Sequence, residues 1–186
     1  FLILDTAAET GGSEGLLRQG DLDGVIKPAL DKALADGKWV ALASHHATSS
    51  LGDGTGLGGK QQPDAVTQAA WVDFVGGYPN VIFSMVGHSH ENRVKWVTPT
   101  AGHAFWEVMT SALADFPHQI RIVELWDQDN GWLMLRTTNV DFSAMGDAVA
   151  EEGRTLGTMD YVAGWAAKNG PGTPEDRNVE LWIEKP

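Results

Sequence analysis

The stretch VIFSMVGHSH, residues 81–90, joins a continuous apolar run to two histidines one residue apart. A short run of β-prone apolar residues predicts a strand that is buried on both faces, as in a parallel sheet. The run WVALA, residues 39–43, enters SHH in the same way. Between them, PDAVTQAAWVDFV predicts a helix with Pro63 in its first turn. The order strand, helix, strand predicts a parallel crossover unit.

The segments before residue 39 continue this α/β pattern. FLILDT, residues 1–6, predicts a strand. GDLDGVIKPALDKALADGK carries apolar residues at helical spacing, and Gly37 is placed to end the helix. These two elements add a strand and a helix to the crossover unit.

Beyond residue 92 the pattern changes to that of antiparallel strands. NRVKWVT, AFWEVMTSA, QIRIVELW and WLMLRTTNV predict strands, and Asn130-Gly131 before the last of these predicts a hairpin turn. A helix is predicted in GDAVAEEGRTLGTMDYVAGW, followed by a final strand, VELWIE. We therefore predict a single α/β domain with mixed sheets over residues 1–186.

Composition argues against several classes of function. The chain has 13 Lys and Arg against 25 Asp and Glu, a net charge of −12, so no nucleic-acid partner is expected. It has no cysteine, and any metal must therefore be bound by His, Asp, Glu or Asn. No apolar segment approaches the length of a membrane span, so none is predicted.

Four of the six histidines follow the two predicted parallel strands: His45, His46, His88 and His90. Open α/β sheets bind ligands at this edge, and imidazole is a common ligand of zinc, iron and manganese. A lone histidine here would be interpreted as a strand cap, but two clusters at equivalent strand ends favour a metal site. Because the backbone turns after a strand, His88 and His90 serve either one metal or one each of two metals about 3.5–4 Å apart.

The stretches VALASHHATSS and VIFSMVGHSHENRV resemble, in that order, the last two metal motifs of the calcineurin-like metallophosphoesterases. The downstream segments AFWEVMTSALADFPHQIRIVELWDQDNGWLMLRTTNVD and EEGRTLGTMDYVAGW are similar to a bacterial branch of that superfamily. The resemblance implies a four-layer α/β/β/α sandwich with two divalent metals, Mn, Fe or Zn. It also implies attack of a metal-bridging hydroxide on a phosphate mono- or diester, and it favours an exported protein.

Each histidine of the two motifs takes a role from this resemblance. His45 and His88 would bind the second metal, and His90 would bind the first. His46 follows the ligand and is expected to support it rather than to bind the metal. Ala47 stands where many members of the family have proline.

The family's three earlier motifs, Asp-x-His, Gly-Asp-x-x-Asp and Gly-Asn-His-Asp/Glu, do not occur in the sequence. We therefore expect the C-terminal half of a metallophosphoesterase domain, with the missing half, or a second copy, as its partner. Without the bridging Asp, three histidines cannot hold two dications, so this chain alone is expected to be inactive and to bind at most one metal weakly. One zinc on His45, His88 and His90 is an alternative. A non-catalytic binding or structural module of the same fold is another.

Other stretches carry weaker signals. GTGLGG, residues 54–59, does not directly follow a strand, so it is interpreted as a loop that faces a phosphorylated substrate or as a solvated loop, not as a dinucleotide site. Gly54, Gly56 and His103 are the candidates for substrate contact. The tryptophans of the β-rich half are expected to pack in the core or at sheet edges. SALADFPHQIR lacks a nucleophile-elbow motif, which argues against a catalytic triad.

Overall fold

The structure, a computed structural model, describes residues 1–9 and 11–186 and shows a mixed α/β protein. The chain divides into two compact units. The first comprises Phe1–Val86, Lys95–Glu107 and Pro186, and the second comprises Gly87–Val94 and Val108–Lys185. The predicted fold class, α/β with both parallel and antiparallel pairing, is confirmed at this level.

A five-stranded sheet has the strand order β1-β2-β3-β5-β4. Both β1 and β3 pair parallel with β2; Leu4 lies opposite Ser44, and Leu42 lies opposite Ser84. The carboxyl ends of three neighbouring strands therefore meet at one edge, which confirms the predicted crossover unit. The strands are β1 (Leu2–Leu4), β2 (Val40–Ser44), β3 (Val81–Val86), β4 (Arg93–Val97) and β5 (Phe105–Met109).

The first predicted helix is interrupted by a π-helical turn. It comprises α1 (Gln19–Asp21), the π turn Leu22–Ile26 and α2 (Lys27–Ala35). Pro28 explains the wider turn, because proline has no N–H to donate to the fourth residue before it and its ring displaces that carbonyl group. Gly37 follows the helix with φ 64°, as expected of a residue that ends one.

The crossover helix α3 (Gln68–Gly76) begins later than predicted. Thr67 caps it by accepting a hydrogen bond from the backbone N–H of Ala70 at 3.2 Å. Pro63 is therefore not in its first turn, and that prediction was wrong. Val66 instead donates its backbone N–H to Leu17 O at 2.8 Å, and the backbone before Thr67 is held in this pairing.

The second unit contains an antiparallel sheet with the strand order β6-β7-β8. Its strands are β6 (Gln119–Asp127), β7 (Trp132–Asp141) and β8 (Val179–Glu184). The predicted hairpin between β6 and β7 is confirmed, and Asp129 and Gly131 in its turn have positive φ values, 55° and 92°. The helix α4 (Ala148–Ala163) is also confirmed; Asp147 caps its start, and Gly164 follows it with φ 83°.

Each unit has its own buried apolar residues. In the first unit the cluster includes Leu30, Leu42, Val75, Val81 and Phe105, all at most 1% exposed. In the second unit the buried apolar residues of β7 and β8 are Leu133, Met134, Leu135, Leu181 and Ile183.

The tryptophans of the β-rich half occupy two kinds of environment. Trp96 packs against Trp106 with ring centroids 4.7 Å apart. Trp126 and Trp132, on the opposite face of the second sheet from the buried leucines, are 47% and 44% exposed. Among the described residues, no helix is long and apolar enough to cross a bilayer.

Candidate metal centre

The loop after β2 carries the first pair of histidines. Ser44, the last residue of β2, donates its hydroxyl to the backbone carbonyl of His46 at 2.8 Å. The rings of His45 and His46 lie edge to face, with centroids 4.8 Å apart and planes at 89°. His46 is buried, whereas His45 is exposed. The two imidazoles therefore meet different environments although they are neighbours in sequence.

His46 is held from two sides by residues that follow β1. The hydroxyl oxygen of Thr6 lies 2.9 Å from His46 Nδ1 and accepts the backbone N–H of His46 at 3.3 Å. Gly15 packs against the same side chain; a Cβ atom at this position would lie 2.6 Å from His46 Cβ and 2.7 Å from Cγ. These contacts leave the His46 ring little freedom.

Glu107 anchors the continuation of this loop. Its Oε2 accepts hydrogen bonds from the backbone N–H of Thr48 at 2.8 Å and from the Thr48 hydroxyl at 2.5 Å. Glu107 is 2% exposed and lies on β5. A carboxylate this deeply buried needs such partners, because an unpaired charge would cost several kcal/mol. The loop that follows the histidines is therefore tied to the sheet by a buried charge.

The loop after β3 has a rare backbone conformation. His88 and His90 have φ values of 73° and 57°, in the left-handed region that non-glycine residues seldom occupy. Ser89 donates its backbone N–H to Gly87 O at 3.0 Å, closing a three-residue turn around His88. A γ-turn with positive φ at its centre is rare and strained. Strain of this kind, about 1–3 kcal/mol per residue, is typical of functional sites.

Asn92 fixes the end of the same loop within the second unit. It is 1% exposed, and its amide nitrogen donates to Gln119 Oε1 at 2.8 Å. Its amide oxygen accepts from the backbone N–H of Ser111 at 3.2 Å and from the guanidinium of Arg121 at 3.1 Å. Burial lowers the pKa of Arg121 to about 10, so this side chain stays positively charged at neutral pH.

Three imidazoles form the one group of His, Asp and Glu side chains in the described residues that could hold a metal ion. His45, His46 and His88 each offer a ring nitrogen, and these atoms lie within 4.8 Å of one another. In a tetrahedral zinc site with Zn–N of 2.0–2.1 Å, the nitrogens of two ligands lie roughly 3.4 Å apart, a distance shorter than the 4.8 Å limit found for these three rings. The donor set therefore fits one borderline cation such as zinc.

The group differs in membership from the predicted ligand set. His45 and His88, expected to share a metal, both belong to it, and so does His46, which was expected to support the ligand. His90 is outside it; its Nδ1 contacts Asp115 Oδ2.

The Gly-rich loop is bound to an acidic side chain. Gly56 donates its backbone N–H to Glu14 Oε1. A Cβ atom at Gly52 or Gly56 would run into the same carboxylate. Gly54 has φ 92°, a conformation for which glycine is suited. The loop is thus held by Glu14, and its expected role in contacting a substrate stays a prediction.

The remaining two histidines do not belong to the group of three. His103 donates its backbone N–H to Gly76 O at 2.8 Å, and burial lowers the pKa of its ring. His118 is 4% exposed, and its Nδ1 lies 2.9 Å from the carbonyl oxygen of Leu113. His118 is therefore a buried structural histidine.

Three supporting residues escaped the sequence analysis. Thr6 could have been found, because FLILDT predicts a strand and the residues after it lie at the same sheet edge as His46. Glu107 gives a weaker signal, a single acid inside the apolar strand AFWEVM. Asp115 gives none, since it lies in an irregular segment 25 residues from His90.

Comparison with known proteins adds no assignment to this geometry. No protein-family profile matches the chain, and no curated protein matches it. The functional interpretation therefore depends on the two histidine motifs and on the surroundings described above.

Proposed function

We propose that this chain is the C-terminal half of a calcineurin-like metallophosphoesterase and that the complete enzyme hydrolyses phosphate esters with divalent metals. The observation that carries the proposal is the convergence of His45, His46 and His88 beyond the ends of the parallel strands β2 and β3. The sequences SHH and GHSH at these strand ends, in this order, support it. In this proposal the two sheets belong to a four-layer α/β/β/α sandwich that the missing half completes.

In the proposed enzyme, His45 and His88 hold one metal and His90 contributes to the other. Bound divalent metals supply Lewis acidity, which makes water a nucleophile near neutral pH and offsets the charge on phosphoryl oxygens. Neutral imidazoles add no charge of their own, so the full charge of the metals faces the substrate. This matters because a chain with a net charge of −12 would otherwise repel a phosphate ester.

His46 gives the isolated chain a third ligand. If its Nδ1–H donates to the hydroxyl oxygen of Thr6, the neutral ring carries its lone pair on Nε2, the type of atom that binds a metal. One cation on His45, His46 and His88 is then the state we propose for the chain alone. A second cation is not held, because no carboxylate belongs to this group to offset the repulsion between two dications.

The test uses the complete reading frame to which the chain belongs. We expect Asp-x-His, Gly-Asp-x-x-Asp and Gly-Asn-His motifs upstream, and hydrolysis of an aryl phosphodiester that depends on added manganese or zinc. His45→Ala and His88→Ala should each lower turnover by about 100-fold or more, since metal-assisted catalysis supplies several kcal/mol.

The matched control is His118→Asn, which keeps a side-chain N–H near the carbonyl oxygen of Leu113 and lies outside the metal group. It should retain most of the turnover. Full metal content and full turnover in both the His45 and the His88 variants would refute the proposal. A frame without the upstream motifs would favour a non-catalytic module.

A further inference from the structure

We infer that Asp115 is a positioning residue for His90: it fixes the ring so that Nε2, not Nδ1, is the atom offered to a metal. This inference rests on the proposed function, which makes His90 a ligand. Its starting point is the contact between His90 Nδ1 and Asp115 Oδ2, both in the second unit.

The chemistry of the contact decides the tautomer. An ionised carboxylate only accepts hydrogen bonds, so the ring nitrogen that faces Asp115 must carry the proton. In the neutral ring the other nitrogen, Nε2, then holds the lone pair. Histidine ligands in metal sites commonly donate their second ring N–H to a carboxylate in this way, which orients the ring and makes the ligand more basic.

The backbone brings the two segments close enough for this contact. Asn92 donates its backbone N–H to Gly170 O at 3.0 Å, which ties the end of the His90 loop to the segment around Gly170. A Cβ atom at Gly170 would lie 2.7 Å from the carbonyl oxygen of Phe116, the residue after Asp115, and 3.5 Å from that of His90. Gly170 therefore permits both segments to pack against the same stretch of chain.

The exposure of the pair indicates that the contact orients the His90 ring and does not serve mainly to stabilise the fold. The side chains of His90 and Asp115 are 45% and 33% exposed. Polar contacts this accessible to water contribute little to folding. The backbone of His90 also occupies the left-handed region, with φ 57°, which gives its side chain an unusual direction. The contact with Asp115 then fixes the orientation of the ring.

The first arm of the test needs no metal. Long-range ¹H–¹⁵N spectra of the 186-residue chain, recorded at a pH where the ring is neutral, report which nitrogen carries the proton. We expect the Nδ1–H tautomer for His90. In Asp115→Ala the ring should change mainly to the Nε2–H tautomer, which neutral imidazole prefers in water. Glu152→Ala removes a charge from an exposed position of α4 in the same unit and should leave the His90 signals unchanged.

Two results would overturn the inference: an Nε2–H tautomer in the unmodified chain, or the same tautomer with and without Asp115. A second arm uses the complete enzyme, where Asp115→Ala should weaken the binding of one metal by about 10- to 100-fold and spare the metal on His45 and His88. Unchanged affinity for both metals would also count against it. The proposed function fails separately, through full metal and turnover in the His45→Ala and His88→Ala enzymes.

Discussion

Glu107 accepts two hydrogen bonds from Thr48, and Thr48 lies three residues beyond His45 in the loop that follows β2. The carboxylate is buried, so both bonds form in surroundings where an unpaired charge is costly. The loop that carries His45 is therefore tied to β5 through the side chain of Glu107. This relationship can be tested without any assumption about substrate.

Glu107→Gln should destabilise the chain by about 1–3 kcal/mol, because a neutral amide is a weaker acceptor than a buried carboxylate. It should also weaken zinc binding, since the loop carrying His45 and His46 loses its anchor. Urea unfolding and zinc titration measure the two effects. Glu152→Gln, on an exposed position of α4, is the control and should change stability by about 0.5 kcal/mol or less. Equal behaviour of the two variants would show that Glu107 does not hold the loop.

Gly15→Ala should be destabilising, by about 1–3 kcal/mol, since the added methyl group would overlap the side chain of His46. Gly20→Ala is the matched control: it lies in α1, and an added Cβ meets no atom within 4 Å. The control should stabilise the chain by up to about 1 kcal/mol through helix propensity and lower chain entropy. Chemical denaturation measures both changes in unfolding free energy. An unchanged unfolding free energy for Gly15→Ala would show that the side chain of His46 does not pack against Gly15.

His88→Gly and His88→Ala should separate strain from ligation. Both remove the imidazole and should reduce zinc binding alike. The glycine variant should be the more stable of the two by about 1 kcal/mol, because glycine adopts φ 73° without penalty and alanine does not. Equal unfolding free energies for the two variants would contradict the strained turn at His88.

The partly buried ring of His103 should make stability depend on pH. Burial lowers the pKa of this ring below its usual value of about 6.5, so near that pH the unfolded chain takes up a proton that the folded chain does not. Its contribution is complete above the unfolded pKa and declines as the pH falls. The loss of stability between about pH 8 and about pH 5.5 should therefore be smaller in His103→Gln than in the unmodified chain. Identical losses would show that the ring is not kept neutral by burial.

Much of the fold could be predicted from local patterns. The apolar runs of β2 and β3, the turn at Asn130-Gly131 and the caps of α4 each depend on a few neighbouring residues. The start of α3 could not be predicted in this way. The backbone before Thr67 pairs with residues about 50 positions earlier, such as Val66 with Leu17, and this distant pairing overrides the helix signal of Pro63.

In the candidate site, too, local patterns predict some features, whereas others depend on residues that are distant in sequence. His45 and His88 could be placed together, because each lies within two residues of the end of a strand and the two strands are parallel neighbours in the sheet. The sheet edge at which Thr6 lies could also be predicted, but its bond to His46, 40 residues away, could not. The same holds for the bonds between Glu107 and Thr48, which are 59 residues apart. Side-chain partners at such separations are set by the packing of the whole chain, and a single sequence does not reveal them.

Zinc titration of the 186-residue chain by calorimetry tests the central claim most directly. We predict about one zinc ion per chain, with binding abolished or strongly weakened in His45→Ala and in His88→Ala and retained in His118→Asn. Each variant is first shown to be folded by its circular dichroism spectrum. No zinc binding by the unmodified chain, or the same affinity and stoichiometry in all four proteins, would contradict a metal centre at the ends of β2 and β3.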